Sequence, residues 1–323
     1  MRAVVYDRYG SPEVLRVAQI PAPVPAAGHV LVEVVATSIN LSDWERLRGR
    51  PAYARLGGLR RPRNPVLGSD IAGRVAALGP GVTGFRVGEA VYGDNLQLQG
   101  GFADYAVAPA SALARKPDEL TFAEASAIPQ SGAIALQAVA RGRPGERMLL
   151  NGAGGGTGAF AIPLAKAVGM HLTAVDNAGK LDFMRGLGAD EVIDFRARDF
   201  TRTGPYDLVV DLVAHRSVFA YRRALAEGGR YLMVGGSARA IVRVLTVGRL
   251  AGRLTGRELG MLLVREGPAH FTPLAERVVA GEIDVRIDSV FPLEEVPRAL
   301  TRHGEGRALG KVVIAVRDDV HAR

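Results

Sequence analysis

The chain has 323 residues, 48% of them hydrophobic, which is enough to bury a large core and divide into two domains; a disordered linker protein is excluded. It contains no cysteine, so disulfides, iron–sulfur clusters and thiolate-bound zinc have no ligands here. The formal charge of +8 comes from arginines spread along the chain, and aromatics are only 6% of residues, so no basic stripe interleaved with aromatics marks nucleic acid as a partner.

From Met1 the chain runs directly into RAVVY, and nowhere do 18 uninterrupted apolar residues occur, so a cytoplasmic protein without a membrane span is expected. The first 110 or so residues alternate short β-branched runs (VVY, HVLVEVVAT, AGRVAAL, EAVYG, ADYAVAP) with Gly and Pro punctuation, the pattern of a barrel-like all-β domain. At Thr121 the pattern changes: Thr at an N-cap position, Glu124 three residues on and apolar residues at helical spacing predict a helix. Strand-like and helical runs then alternate, as RMLLN, AFAIPLAKAVG, HLTAVD, KLDFMRGLG, EVIDF, YDLVVDLV, VFAYRRALAEG and RYLMVGG. Such alternation builds a parallel sheet covered by helices on both faces. RELGMLLV, from Arg257 to Val264, follows an Arg-rich helical stretch and is the expected sixth strand. A helix over TPLAERVVAG and a return to short strands in DSVFPLEEVPRAL and GKVVIAV close the chain.

Between RMLLN and AFAIPLAKAVG lies NGAGGGTGAF, with glycine at 152, 154, 155, 156 and 158. A glycine loop between a strand and a helix is a dinucleotide cradle rather than a linker, because glycines let backbone N–H groups approach a pyrophosphate at the helix N-terminus. In the register Ala153-x-Gly155-x-x-Gly158 the last glycine also permits close strand–helix packing. Ala153, Gly154, Gly155, Gly156, Thr157 and Gly158 are therefore the expected pyrophosphate site. No Lys-Ser or Lys-Thr follows the glycines, as a P-loop would require. Asp176, at the end of the next strand, is placed to accept hydrogen bonds from ribose hydroxyls, which favours NADH over NADPH; Lys180 and Arg185 lie close enough to blunt repulsion of a 2′-phosphate. An S-adenosylmethionine methyltransferase uses a similar loop and acid, but has no need of the β-rich region in front. Gly235, Gly236 and Ser237 end the fifth parallel strand, where ligands of such sheets bind.

PVLGSDIAGRVAALGPGVTGFRVGEAVYG, GGFADYAVAP, NGAGGGTGAFAIPLAKAVG, LGADEVIDF and GKVVIAV together resemble the medium-chain dehydrogenase/reductase superfamily, in particular its zinc-independent quinone oxidoreductase branch. The resemblance implies an α/β protein: a GroES-like β-rich catalytic domain plus a Rossmann domain with a doubly wound parallel sheet, and a cleft between them that holds the nicotinamide. It places the catalytic domain at residues 1–120 and 266–323 and the Rossmann domain at 121–265. Zinc-dependent relatives bind catalytic metal through Cys, His and Cys; the matching places here hold Asn40, Ser69, and Pro129 or Gln130, which supply no thiolate or imidazole. No metal is expected, and the six histidines are scattered without ligand spacing.

The resemblance further implies that the Asn-x-x-Asp motif, Asn40 and Asp43, lies near the nicotinamide, with Tyr53 as a pocket tyrosine able to donate a proton. Ser69, beside Asp70, and Gln130 complete the candidate catalytic set. Lys311 matches a position from which a basic residue reaches the pyrophosphate, or else neutralises the protein's own carboxylates. The implied activity is hydride transfer from NAD(P)H to a small apolar quinone or α,β-unsaturated carbonyl, where the incoming charge delocalises without a Lewis acid. A zinc-free alcohol dehydrogenase or carbonyl reductase, or a cofactor-binding protein without turnover, are the alternatives. Relatives pair the strand matching RELGMLLV across a two-fold axis, so a homodimer is expected.

Overall fold

The computed structural model describes residues 1–56 and 58–323. The chain forms two compact units, one of Met1–Ala133 with Glu266–Arg323, the other Ile134–Arg265.

The first unit contains β1 (Arg2–Val5), β2 (Arg16–Gln19), β3 (His29–Ser38), β4 (Asp70–Leu78), β5 (Ala90–Asp94), β6 (Tyr105–Pro109) and β7 (Leu113–Arg115), together with β14 (Ile287–Pro292) and β15 (Lys311–Ala315) from the C-terminal part of the chain. Its main sheet runs β14-β15-β3-β4-β5-β7, while β1 and β2 form a separate pair. The long strand β3 carries β4 along one edge; its other edge is shared by β6, opposite His29–Glu33, and β15, opposite Ala36–Ser38. Inward Val30, Val32 and Val34 alternate with half-buried neighbours before burial becomes continuous toward Ser38, so the strand sinks into the core as it approaches helix α1 (Leu41–Arg48). The β-rich reading of this region holds.

The predicted helix at Thr121 is present as α2 (Phe122–Ala127), with Thr121 Oγ1 accepting from Glu124 N at 3.2 Å and Glu124 Oε2 accepting from Thr121 N at 2.8 Å. Its side chains Phe122, Ala123, Ala125, Ser126 and Ala127 are buried, and it packs on β3, β4 and β15. Residues 121–133, expected in the Rossmann domain, therefore belong with the first unit, because an apolar helix joins whichever sheet buries it. The dividing point falls inside the next helix, α3 (Pro129–Val139).

In the second unit β8 (Arg147–Asn151), β9 (His171–Asp176), β10 (Glu191–Asp194), β11 (Tyr206–Asp211), β12 (Leu225–Met233) and β13 (Glu258–Met261) form one sheet in the order β10-β9-β8-β11-β12-β13, with every pairing parallel. This is the doubly wound order 3-2-1-4-5-6, whose direction reverses between β8 and β11. The inner strands are buried on both faces, so they read as continuous apolar runs rather than alternating ones. The sixth strand is shorter than RELGMLLV and sits at the sheet edge. One boundary differs from expectation: the helix over VFAYRRALAEG stops at Ala224, and Leu225 begins β12 by pairing with Tyr206 before the register shifts.

Candidate functional site

The glycine loop lies at the end of β8 and opens helix α4 (Gly156–Val168) with Gly155 as N-cap. Each glycine has its own physical reason. Gly152 turns the chain at φ +85, a left-handed conformation that other residues rarely adopt. At Gly158 an added Cβ would fall 1.9 Å from Ala153 O, so only glycine lets the helix start against the strand it follows. At Gly155, by contrast, a Cβ would meet nothing within 4 Å, leaving that face of the loop open. The amides of Gly156, Thr157 and Gly158 occupy the first turn, where a helix has no carbonyl to offer them and the macrodipole favours an anion. The 13-residue length of α4 sustains that dipole. Donors, open space and forced glycine fit a diphosphate.

Asp176, at the end of β9, accepts from Gly154 N at 2.9 Å through Oδ2, while Oδ1 accepts from Asn177 N at 2.8 Å. Lys180 Nζ lies 3.6 Å from the same Oδ2, and both side chains are largely buried. The pair thus braces the loop from the side: a Cβ on Gly154 would come 2.3 Å from Lys180 Cδ. Lys180 is thus paired with Asp176 itself. Gly235 and Gly236, both at positive φ, follow β12, and Ser237 caps the next helix by accepting from Ala240 N at 3.1 Å.

Two further residues of this unit escaped the sequence reading. Asn151 Nδ2 donates to Asp211 Oδ1 at 2.8 Å, joining the ends of β8 and β11 where the sheet order reverses. Asp211, fully buried, also accepts from Val213 N, Ala214 N and the Tyr231 hydroxyl, so it holds the loop after β11 in place. The signal was available in YDLVVD, where an apolar strand ends on a carboxylate.

The first unit gathers most of the candidate catalytic residues around Lys311. Asn40 is the N-cap of α1, and its N donates to Asp43 Oδ2 at 2.8 Å; Asp43 Oδ1 accepts from Gly68 N at 3.1 Å. The Asn40 amide donates to Ser69 Oγ at 3.1 Å and to Asp70 Oδ2 at 2.9 Å, and its Oδ1 accepts from Lys311 Nζ at 2.7 Å. Both amide hydrogens are thereby committed within the protein. Lys311 Nζ also reaches Asp70 Oδ2, Ser131 Oγ and Ile39 O, each at 3.3 Å.

Lys311 is 1% exposed at its side chain and Asp70 0%. The pyrophosphate role for Lys311 gives way to the other expectation: its ammonium is spent on the protein's own carboxylate. Burial pushes Lys311 down and Asp70 up from their ordinary ranges, each opposed by the charge of the other. Burial likewise pushes Asp43 up to about 7, against the two backbone N–H bonds it accepts. Asp70, named in the sequence only as Ser69's neighbour, is the hub of this cluster.

Gln130, at the start of α3, donates its backbone N–H to Asp70 Oδ1 at 3.1 Å, and its Oε1 accepts from Ser42 Oγ at 3.2 Å. Four candidates, Asn40, Asp43, Ser69 and Gln130, therefore meet at one carboxylate–ammonium centre. Tyr53 stands apart, on the 3-10 turn Ala52–Arg55, with its hydroxyl donating to Glu45 Oε2 at 3.0 Å. Burial raises Glu45 to about 7, the Tyr53 bond opposing the shift. Among the described residues no group of three or more His, Cys, Asp or Glu has the geometry of a metal site.

A 3-2-1-4-5-6 parallel sheet with a glycine loop capping its first helix, joined to a β-rich unit made from both ends of the chain, defines a dinucleotide-binding dehydrogenase of two units. Residues 26–118 match the alcohol dehydrogenase GroES-like domain family and residues 187–314 the zinc-binding dehydrogenase family. A chloroplastic quinone oxidoreductase of Triphysaria versicolor is 30% identical over 331 residues, covering 97% of this chain and 98% of its own. The quinone oxidoreductase of Coxiella burnetii superposes with a TM-score of 0.88 at 27% identity, covering 98% of this chain and 99% of that one. A mycobacterial protein solved in complex with NADPH superposes at 0.82 with 26% identity, over 98% of this chain and 100% of that one. The chain belongs to the medium-chain dehydrogenase/reductase superfamily, in its quinone oxidoreductase-like branch of NAD(P)H-dependent oxidoreductases.

Proposed function

We propose that the protein is a zinc-independent reductase that uses NAD(P)H, with NADH favoured, to reduce a small quinone or α,β-unsaturated carbonyl. The observation that carries this reading is the glycine loop: the open face at Gly155 and the free first-turn amides of a 13-residue helix beside the point where the sheet order reverses. Gly155 to Gly158 hold the diphosphate, and Asp176 accepts from the adenosine ribose. Bound there, the nicotinamide supplies a hydride. Quinone oxidoreductase relatives support the acceptor class.

The places that carry zinc ligands in metal-dependent relatives match Asn40, Ser69, and Pro129 or Gln130, a set without thiolate or imidazole, which supports chemistry without a zinc ion. The protein's own part is then electrostatic: Lys311 and Asp70 fix the orientation of the Asn40 amide, and Gln130 is held beside them by Asp70. The edge position of β13, with Leu263 80% exposed just beyond it, supports a homodimer through that edge. No helix among the described residues is long and apolar enough to cross a membrane.

Titrations with NADH and NADPH, followed by steady-state assays on quinones, enones and simple ketones, test the reading. Tighter NADH binding and turnover of quinones or enones are expected. A tenfold preference for NADPH contradicts the role given to Asp176; turnover of ketones alone makes the protein a carbonyl reductase, and coenzyme binding without turnover removes the enzymatic reading.

A further inference from the structure

Between Glu227 and Glu258 the chain has no acidic residue but six arginines: Arg230, Arg239, Arg243, Arg249, Arg253 and Arg257. Two are used within the fold. Arg230 pairs with Glu146, and Arg257 donates to the carbonyls of Leu225 and Thr255. Arg239, Arg243, Arg249 and Arg253 have no hydrogen-bond or ion-pair partner among the described residues. These four lie on helical stretches that run on without a break after β12: Ala238–Arg243, the π turn Val244–Gly248, and Arg249–Arg253.

This helix is inverted with respect to water. Its inner face is built mainly from small residues: Gly248, Ala251 and Gly252 are buried. A Cβ on Gly248 would meet Val218 Cγ2 at 3.1 Å, and one on Gly252 would fall 2.5 Å from Arg257 O and 3.2 Å from Leu259 Cδ1. The large side chains point outward instead: Val242, Leu245, Val247, Leu250 and Leu254 are exposed, from 42% at Val247 to 77% at Leu254. Residues five apart stack across a π turn, so Leu245 lies in line with Leu250, and Leu254 follows four positions on. A helix facing water does the reverse, turning its leucines in and its polar residues out. Continuous apolar surface of this kind marks a place that something covers.

Whatever covers this face must satisfy leucines and arginines together. A second copy of the chain meets the leucines, but across a two-fold axis it sets the same four arginines against themselves, with no acid in the segment to pair them. The dimer proposed above runs through the β13 edge, whereas this helix packs on β13 with its inner face, Gly252 against Leu259, so its outer face is a separate surface. The flanking Glu258 is already paired with Arg141. A nucleic acid takes the arginines and leaves the leucines in water. An anionic bilayer takes both: its headgroups accept from the guanidinium groups, and the apolar side chains enter the boundary between headgroups and acyl chains.

We propose that the outer face of residues 238–254 is a membrane-surface site that docks the protein on anionic lipid. No helix among the described residues is long and apolar enough to cross a bilayer, so the segment lies along the surface, with Leu250 and Leu254 inserted and Arg243, Arg249 and Arg253 among the headgroups. The inference is independent of the reductase reading.

Sedimentation of the full chain with phosphatidylcholine vesicles, with and without phosphatidylserine as about a third of the lipid, tests it. The wild type is expected to pellet with the anionic vesicles and not with phosphatidylcholine alone, and added salt is expected to weaken binding. Arg249→Gln with Arg253→Gln is expected to lower vesicle affinity by about 10–30-fold. Leu250→Ser with Leu254→Ser keeps the charge and is expected to lower it by about tenfold or more. All four side chains are exposed and none belongs to the coenzyme loop, so thermal unfolding and NADH binding stay as in the wild type. No pelleting with anionic vesicles, or pelleting that neither pair of substitutions reduces, overturns the proposal. Binding lost with the arginine pair but kept with the leucine pair also overturns it, because the face is then a general polyanion site. So does a lipid-free oligomer, read by light scattering, that the leucine pair reduces to a smaller species, because a second copy then covers this face.

Discussion

Replacing Lys311 with methionine is expected to destabilise the first unit by roughly 3–5 kcal/mol, the largest stability effect of any single substitution considered for this protein. Methionine fills much the same volume, so the loss is electrostatic. It strands Asp70, 0% exposed, without its ammonium and leaves Asn40 Oδ1 and Ser131 Oγ without their common partner. Asp70 responds by taking up a proton, which makes the cost pH-dependent. Its folded-state affinity for protons rises further above the unfolded value, so the variant's deficit is smallest in acid and grows as pH rises through the new ionisation. Denaturant unfolding at several pH values measures this, and adding Asp70→Asn to Lys311→Met is expected to recover part of the loss, because it removes the stranded charge. A deficit below about 1 kcal/mol, independent of pH, places the pair in the range of exposed ion pairs and contradicts the buried centre described here.

Gly158→Val has the second large effect, and it falls on coenzyme binding. The added Cβ would lie 1.9 Å from Ala153 O and 2.5 Å from Ala153 C, both backbone atoms that no rotamer change can move. Relief requires α4 to shift off β8, at a cost of about 1–3 kcal/mol in stability. The same shift takes the first-turn amides away from the diphosphate, and displacement of positioning groups by about an ångström is expected to weaken coenzyme binding on the order of 10²-fold. Gly155→Ala separates the two consequences. Its Cβ enters open space, so folding is unaffected, yet it stands on the face assigned to the diphosphate and is expected to weaken NADH binding alone. Fluorescence titration with NADH beside thermal unfolding reads both. Wild-type affinity in both variants would remove the loop from the binding site.

What the sequence disclosed and what it hid divide along sequence separation. The glycine loop, its flanking strand and helix, the Thr121 capping box and the acid at the end of β9 are local patterns, each legible because residues a few positions apart dictate the backbone between them. The pairing of Asp70 with Lys311 spans 241 residues and the cross-strand meeting of Asp70 with Asp94 depends on register; neither has a local signature. Lys311 was read through its likeness to relatives as a ligand for phosphate, although one of its two readings, neutralising the protein's own carboxylates, is what the buried contacts bear out. Asn40 shows the complementary limit: its position was legible, but only the contacts of both amide hydrogens and the carbonyl reveal it as a fixed node rather than a free donor. The allegiance of α2 was hidden for a third reason, since an apolar helix states that it will be buried without stating against which sheet.

The central claim is that the amides opening α4 grip the diphosphate of a nicotinamide coenzyme. A crystal structure of the protein grown with NADH tests it most directly. The account predicts the diphosphate against the amides of Gly155 to Gly158 with the adenosine ribose on Asp176; a coenzyme bound elsewhere, or a loop that stays empty at saturating NADH, would contradict it.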